Sequence, residues 1–207
     1  MSTTISIIGA GGMAAAIAAR TAKAGYTVEV ASRDPAKARA LADQLAAGAT
    51  TATYGAVPAG NIVILAVPYS SAAAVVADYG DALDGKVIID ITNPVAPDLS
   101  GLVTPDGSSA AQEIAKGAPD GGHVVKAFNT IFGHVLARGG RLDAFIAADH
   151  AEAKARVSTF LESLGLRPFD VGGLQMAWTL EALGLMMIGL ARNGDGTWDL
   201  ALNVNLA

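Results

Sequence analysis

The sequence predicts an α/β protein built on a doubly wound, mostly parallel sheet, with a small C-terminal extension of helix and strand. Three observations predict it. Apolar runs of strand length alternate with segments of helix length from the first residues onward. Two of those runs, Asn61–Val67 and Lys86–Ile91, are almost continuously apolar, as strands buried on both faces require. The first run enters a G-x-G-x-x-A turn, Gly9-Ala10-Gly11-Gly12-Met13-Ala14, placed to open a helix.

The elements follow in order. Thr4–Gly9 reads as a strand and Met13–Ala24 as a helix, with Gly25 as its left-handed cap. Tyr26–Ala31 is a second strand. Pro35–Ala47 is a helix in which Asp34 is placed as N-cap and Pro35 suits the first position. Thr50–Tyr54 is a short strand, Asn61–Val67 the next, Ser71–Tyr79 a helix and Lys86–Ile91 a buried strand. Ser109–Lys116 reads as a short helix with Ser108 as its cap, His123–Phe128 as the sixth strand and Ala144–Ala148 as the seventh. His150–Leu164 is a long amphipathic helix, Arg167–Val171 a last strand and Leu174–Arg192 a final helix; Gly194–Ala207 alternates like a strand. Residues 1–172 are expected to form one domain, and 173–207 an extension that completes a substrate pocket and offers a dimer contact.

Composition narrows the function classes. Hydrophobic residues make up 52% of 207 residues but aromatics only 5%, so the core must be made of Ala, Val, Ile and Leu. A net charge of −5 with no basic tract argues against a nucleic-acid partner. There is no cysteine, which excludes a disulfide framework and a thiol nucleophile, and the three histidines, His123, His134 and His150, have no metal-ligand spacing. The longest apolar stretch, near 182–191, is expected to be too short to cross a membrane. A soluble cytoplasmic protein is expected.

The glycine turn carries the main chemical signal. Gly9 permits the tight turn off the strand. Gly11 lets a pyrophosphate approach the backbone, and Ala14 lets the helix pack closely on the sheet. The helix then presents its unpaired N–H groups and positive dipole end to the phosphates. The second strand ends on Ser32-Arg33 without the carboxylate that would bind a ribose 2′-hydroxyl, because Glu29 lies inside the strand. Arg33 can form a fork of hydrogen bonds to a 2′-phosphate, with Ser32 as a second donor and Lys37 adding charge. The predicted cofactor is therefore NADP(H), held in a Rossmann domain by Gly9, Ala10, Gly11, Gly12, Met13, Ser32, Arg33 and Lys37.

Ligands of such sheets bind beyond the carboxyl ends of the strands. That rule selects Val67-Pro68-Tyr69-Ser70, Thr92-Asn93-Pro94-Val95, Phe128-Asn129-Thr130-Ile131 and Val171-Gly172-Gly173-Leu174. The dinucleotide would pass Val67 and Pro68 and place its nicotinamide near Asn93 and Ala127. Asn129, Phe128 and Thr130 are candidates to orient a reacting ring, and Lys126 reads as structural. The segment from Asn93 to Gly107 is the best candidate for a mobile or site-forming loop. No Tyr-x-x-x-Lys pair, Ser/His/Asp set or metal cluster is visible. Hydride transfer between two cofactors needs proximity and stacking more than an acid, and suits such a chain.

The chain resembles the NADPH-dependent reductases of the 8-hydroxy-5-deazaflavin coenzyme F420. The resemblance rests on Ile7–Met13, Ala31-Ser32-Arg33, Leu65-Ala66-Val67-Pro68, Gly107–Gln112, Val124–Ile131 and Leu180–Leu183. It implies a homodimer, a 2′-phosphate held by Ser32 and Arg33, and a nicotinamide–deazaflavin junction at Ala127–Ile131. Asn129 stands where better-known members have His. The Lys126-Ala127-Phe128-Asn129 string is similar instead to the reductase domains of membrane metalloreductases, which pass hydride from NADPH to flavin. The expected function is thus hydride transfer between NADP(H) and F420. An FMN or FAD reductase and a non-catalytic NADPH-binding sensor are the alternatives. Pyrroline-carboxylate and β-hydroxyacid reductases are similar in the N-terminal domain but need a larger helical C-terminal domain.

Overall fold

The structure, a computed structural model, describes residues 3–45, 48–194 and 196–205. Six parallel strands form the main sheet: β1 (Thr4–Ile8), β2 (Thr27–Ala31), β3 (Thr50–Ala52), β4 (Ile62–Leu65), β5 (Val87–Asp90) and β6 (His123–Lys126). Their spatial order is β3-β2-β1-β4-β5-β6. The order reverses between β1 and β4, which makes the gap beyond Ile8 and Leu65 the switch point where such sheets take ligands. Two further strands, β7 (Leu142–Ile146) and β8 (Leu166–Asp170), pair parallel to each other in a separate ribbon. That ribbon meets β6 through an antiparallel bridge between Lys126 and Ala147.

Side-chain alternation along the strands divides the core between the two faces. Ile5, Ile7, Ile64, Ile89 and Val125 pack with α1 (Gly12–Lys23), α2 (Pro35–Gln44), α5 (Gly133–Arg138) and α6 (Ala151–Ser163). Ile8, Val63, Leu65, Ile88 and Val124 pack with α3 (Tyr69–Tyr79) and α4 (Ala110–Gly117), joined by Leu174 and Ala177. Arg20 ties the first layer together by donating to the carbonyls of Leu136 (2.8 Å), Leu164 (3.1 Å) and Gly140 (3.0 Å).

Several expected details change. Ser109, not Ser108, caps α4: its extended backbone lets the hydroxyl accept from the Gln112 N–H. The sixth strand ends at Lys126, because Phe128 adopts a left-handed conformation (φ 62°) and a turn closes from the Ile131 N–H to its carbonyl. Helix α5 was not expected. The helix from Pro35 ends at Gln44 in the structure, and the end expected for it at Ala47 lies outside the described residues.

The final helix α7 (Ala177–Asn193) follows a single 3-10 turn, Leu174–Met176. Together they make a stretch, Leu174–Asn193, long and apolar enough to cross a membrane, which exceeds the shorter run expected. The tail beyond it was expected to alternate as a strand, yet no strand forms among its described residues. It is held instead by side chains. Asp199 pairs with Arg138 and His134, Trp198 packs edge-on against Phe132, and the Val204 backbone exchanges hydrogen bonds with Asp143 and Arg167.

Candidate functional site

The turn after β1 is shaped by one steric demand. Gly9 has φ 124°, and a β-carbon there would lie 2.1 Å from the Ala66 carbonyl oxygen. Gly9 therefore lets β1 and the end of β4 close up while its N–H donates to Ala31. Gly11 and Gly12 face open space. Gly11 is the N-cap of α1, and no side chain caps that helix. The first turn thus keeps unused donors and a positive dipole end toward the cleft.

That cleft, about 460 Å³, is lined by Gly9, Ala10, Gly11, Ser32, Arg33, Lys37, Tyr54, Val67 and Pro68, among others. Arg33 is exposed, and its guanidinium donates to the Ser71 hydroxyl on α3 at 3.3 Å. Ser32 accepts from the Asp34 N–H at 3.3 Å. Asp34 caps α2 through the Ala36 and Lys37 N–H groups, as its position predicts. Lys37 extends into solvent 4.0 Å from Asp34. Glu29, by contrast, lies buried inside β2 and accepts from the Ser6 hydroxyl at 2.7 Å and the Ala59 N–H at 3.0 Å. The cleft therefore gathers a guanidinium, a hydroxyl and an ammonium beyond the tip of β2, and Asp34 is the one carboxylate among its described lining residues. Met13, half-buried, faces the neighbouring groove and packs under Gly133 of α5.

Tyr54 lines the cleft, and Tyr69 follows Pro68 at the start of α3. Tyr54 donates to Asp78 at 2.7 Å and Tyr69 to Glu113 at 2.8 Å. Loss of water contact and the adjacent carboxylate push each phenol up to about 12, so both stay protonated at neutral pH.

At the ends of β5 and β6 the two candidate asparagines bond reciprocally. Asn129 Nδ2 donates to Asn93 Oδ1 at 2.9 Å, and Asn93 Nδ2 donates to the Asn129 carbonyl at 2.8 Å. Asn129 Nδ2 also donates to the Leu180 carbonyl of α7 at 2.7 Å. Asn129 Oδ1 and Thr92 Oγ1 are buried without a partner among the described residues, so the junction holds hydrogen-bonding capacity that the fold itself does not use. The Phe128 ring, expected to orient a reacting ring, is fully buried in the core instead. Ala127 and Thr130 are buried as well, so none of these three residues presents a side chain to solvent at the junction. The loop from Asn93 to Gly107 folds back on itself through a bridge between Val95 and Leu102, and Arg192 of α7 donates to the Asp98 carbonyl. No peptide bond among the described residues is cis, Asn93–Pro94 included.

The match to known proteins is consistent with this geometry. The family described as NADP oxidoreductase, coenzyme F420-dependent, matches residues 4–94. The F420-dependent NADP reductase of Methanothermobacter marburgensis is 31% identical over 201 residues, which cover 88% of this chain and 89% of that protein. The chain belongs to the F420-dependent NADP reductase family. A solved chain from Arthrobacter sp. FB24, described as a proposed F420-dependent NADP-reductase, superposes with a TM-score of 0.85 at 25% identity, covering 98% of this chain and 99% of that one. Metalloreductase STEAP3 of Rattus norvegicus is 32% identical over 190 residues, 89% of this chain. The chain spans only 37% of that protein's length. A reductive aminase from Aspergillus terreus, at 23% identity and a TM-score of 0.68, shares the fold alone.

Sequence reasoning missed one buried cluster in this F420-dependent NADP reductase family member. Lys126 is 0% exposed, and its ammonium donates to Asp90 at 2.8 Å, Glu181 at 2.7 Å and the Thr92 carbonyl. Glu181 in turn accepts from the Ala110 and Ala111 N–H groups at the start of α4. Burial pushes its carboxyl above the ordinary range, against the downward pull of Lys126 and the Ala110 N–H. The signal was available: a lone Lys in Val124-Val125-Lys126-Ala127 and a lone Glu in Leu180-Glu181-Ala182-Leu183 are charges inside apolar runs, and a buried charge needs a partner.

Proposed function

We propose that the protein transfers a hydride between NADP(H) and coenzyme F420. The observation that carries this reading is the Arg33 guanidinium at the tip of β2, facing the same cleft as the uncapped first turn of α1. Gly9, Ala10, Gly11, Gly12 and Met13 seat the pyrophosphate. Arg33, Ser32 and Lys37 hold the 2′-phosphate, with Ser71 steadying the guanidinium. Val67 and Pro68 flank the dinucleotide on its way to Asn93 and the Ala127 backbone. NADPH supplies the hydride. The protein's part is to hold donor and acceptor carbons face to face, with Asn129 and the backbone at Phe128 and Thr130 setting the acceptor ring. No side chain has to act as an acid in that step.

The C-terminal extension closes the acceptor pocket through α7, which meets Asn129 at the Leu180 carbonyl and Asn93 at Gly184. The protein works in the cytoplasm as a homodimer. Trp178, Met186 and Leu190 of α7 remain 37%, 46% and 50% exposed on an otherwise apolar helix, a stripe that suits a second copy. Glu181, buried and ion-paired in the second turn of that helix, favours a docked helix over a membrane span. Light scattering should return twice the chain mass, and Met186→Lys with Leu190→Lys should return it to a single chain; a monomeric wild type would end the dimer assignment.

The similarity to STEAP3 favours a second reading, a flavin as hydride acceptor. Steady-state assays with NADPH and F420, FMN or FAD in turn separate the two: F420 reduction alone supports the first, and FMN or FAD reduction alone replaces it with the second.

A further inference from the structure

We infer that Glu181 is a positioning residue for hydride transfer, acting through Lys126 to lock α7 onto the ends of β5 and β6 and so to fix the Asn93–Asn129 amide pair. The inference rests on the reading that the acceptor ring sits over those strand ends.

The Lys126 ammonium has three donors, and each has a separate acceptor: Asp90 on β5, the carbonyl of Thr92 beyond it, and Glu181 on α7. Asp90 also accepts from the Thr92 N–H at 2.8 Å, so Thr92 is held at both of its backbone polar groups. The residue fixed next in the chain is Asn93. On the other side, Glu181 bonds α7 to the first turn of α4 at 3.1 Å and 3.4 Å. Its neighbour Leu180 presents the carbonyl that Asn129 uses. One turn on, Gly184 leaves no room to spare: a β-carbon there would lie 2.6 Å from Asn93 Oδ1. The helix therefore meets the strand ends at Leu180, Glu181 and Gly184, and each contact constrains one of the two asparagines or the charge cluster beneath them.

A fully buried cluster of this kind is a poor device for stability alone, since apolar side chains of similar volume hold a fold at least as well. Its virtue is geometric: charge-assisted hydrogen bonds fix directions that apolar packing leaves loose. Its place also matters. It lies at the carboxyl edge of the sheet, under the junction, and not under the pyrophosphate turn. The cluster should therefore govern how the nicotinamide and acceptor rings meet at the Asn93–Asn129 pair and leave the phosphate contacts that anchor the dinucleotide alone. Two carboxylates face one ammonium, and Tyr69 of α3, which donates to Glu113 of α4, also feels the Glu181 charge.

The test uses the full chain with Glu181→Gln, which keeps size and loses charge, and Glu181→Asp, which keeps charge and shortens the reach. First, the wild type is assayed with NADPH and F420. Then single-turnover hydride transfer, the NADPH Kd, the acceptor KM and the side-chain amide NMR signals of Asn93 and Asn129 are measured for all three. The expected result for Glu181→Gln is hydride transfer slower by about tenfold or more, a raised acceptor KM, an NADPH Kd within about twofold of wild type, and shifted or broadened asparagine amide signals. Glu181→Asp should fall between. If Glu181→Gln does not fold, the Asp variant carries the same comparison. A variant that loses thermal stability but keeps the transfer rate and the amide signals would overturn the inference and leave Glu181 a packing residue. A wild type that reduces no F420 would instead overturn the functional reading. The amide signals would still report whether Glu181 fixes the pair.

Discussion

The α-carbon of Gly9 abuts the carbonyl of Ala66 so closely that a β-carbon would lie 2.1 Å from its oxygen, whereas at Gly11 a β-carbon would meet nothing within 4 Å. The two glycines of one motif thus have separable duties. Gly9 serves the closure of β1 against the end of β4, and Gly11 keeps the approach to the helix open.

Gly9→Ala should therefore fail on stability, since both a positive φ and a backbone clash oppose it. A loss of at least about 2 kcal/mol is expected in denaturant titration. Gly11→Ala should keep its melting temperature and raise the NADPH Kd by about tenfold, near 1.4 kcal/mol, as isothermal titration would show.

Arg33→Ala should weaken NADPH binding by about 1.5–3 kcal/mol, the range for a lost charge-assisted hydrogen bond. NADH, which lacks the 2′-phosphate, should bind the variant and the wild type alike. Ser71→Ala, removing only the steadying contact at 3.3 Å, should produce a smaller effect of the same sign.

Lys126→Met leaves two buried carboxylates facing each other without their cation. Breaking a buried pair from one side costs about 3–5 kcal/mol. Urea unfolding should register that loss even with no ligand present.

The tail gives a pH prediction. Asp143 is buried, and the Arg167 guanidinium, bonding both its oxygens, holds its carboxyl below the ordinary value of 3.8 with help from the Val204 N–H. Because folding lowers the Asp143 pKa, the fold binds fewer protons here than the unfolded chain. The stabilisation is present above the unfolded value and is lost as pH falls through the depressed one. Wild type should lose this contribution in thermal melts below about pH 4. Asp143→Asn should lack it at neutral pH and show a shallower acid limb.

The fold was legible because its strands are apolar runs and its first turn has one chemical purpose. Helix α5 was not, since Gly133–Arg138 is short and is held by Arg20 and by packing against Met13, contacts that come from distant parts of the chain. The Ser32 hydroxyl and Arg33 guanidinium of the cleft could be read from adjacent positions, since sequence neighbours share a strand tip. The inward ring of Phe128 could not, because a non-glycine residue at φ 62° has no signature in composition. The Asp90–Lys126–Glu181 cluster joins three elements up to 91 positions apart only once β5, β6 and α7 converge. The unpaired charges in apolar runs announced a partner without naming it.

The central claim is that this site passes hydride from NADPH to a deazaflavin. Stopped-flow absorbance of the purified protein, mixed with NADPH and F420, tests it most directly. The account predicts rapid bleaching of the deazaflavin band at the rate of NADPH oxidation, slowed when the 4-position hydride is replaced by deuteride. Tight NADPH binding with an unchanged deazaflavin band would contradict it.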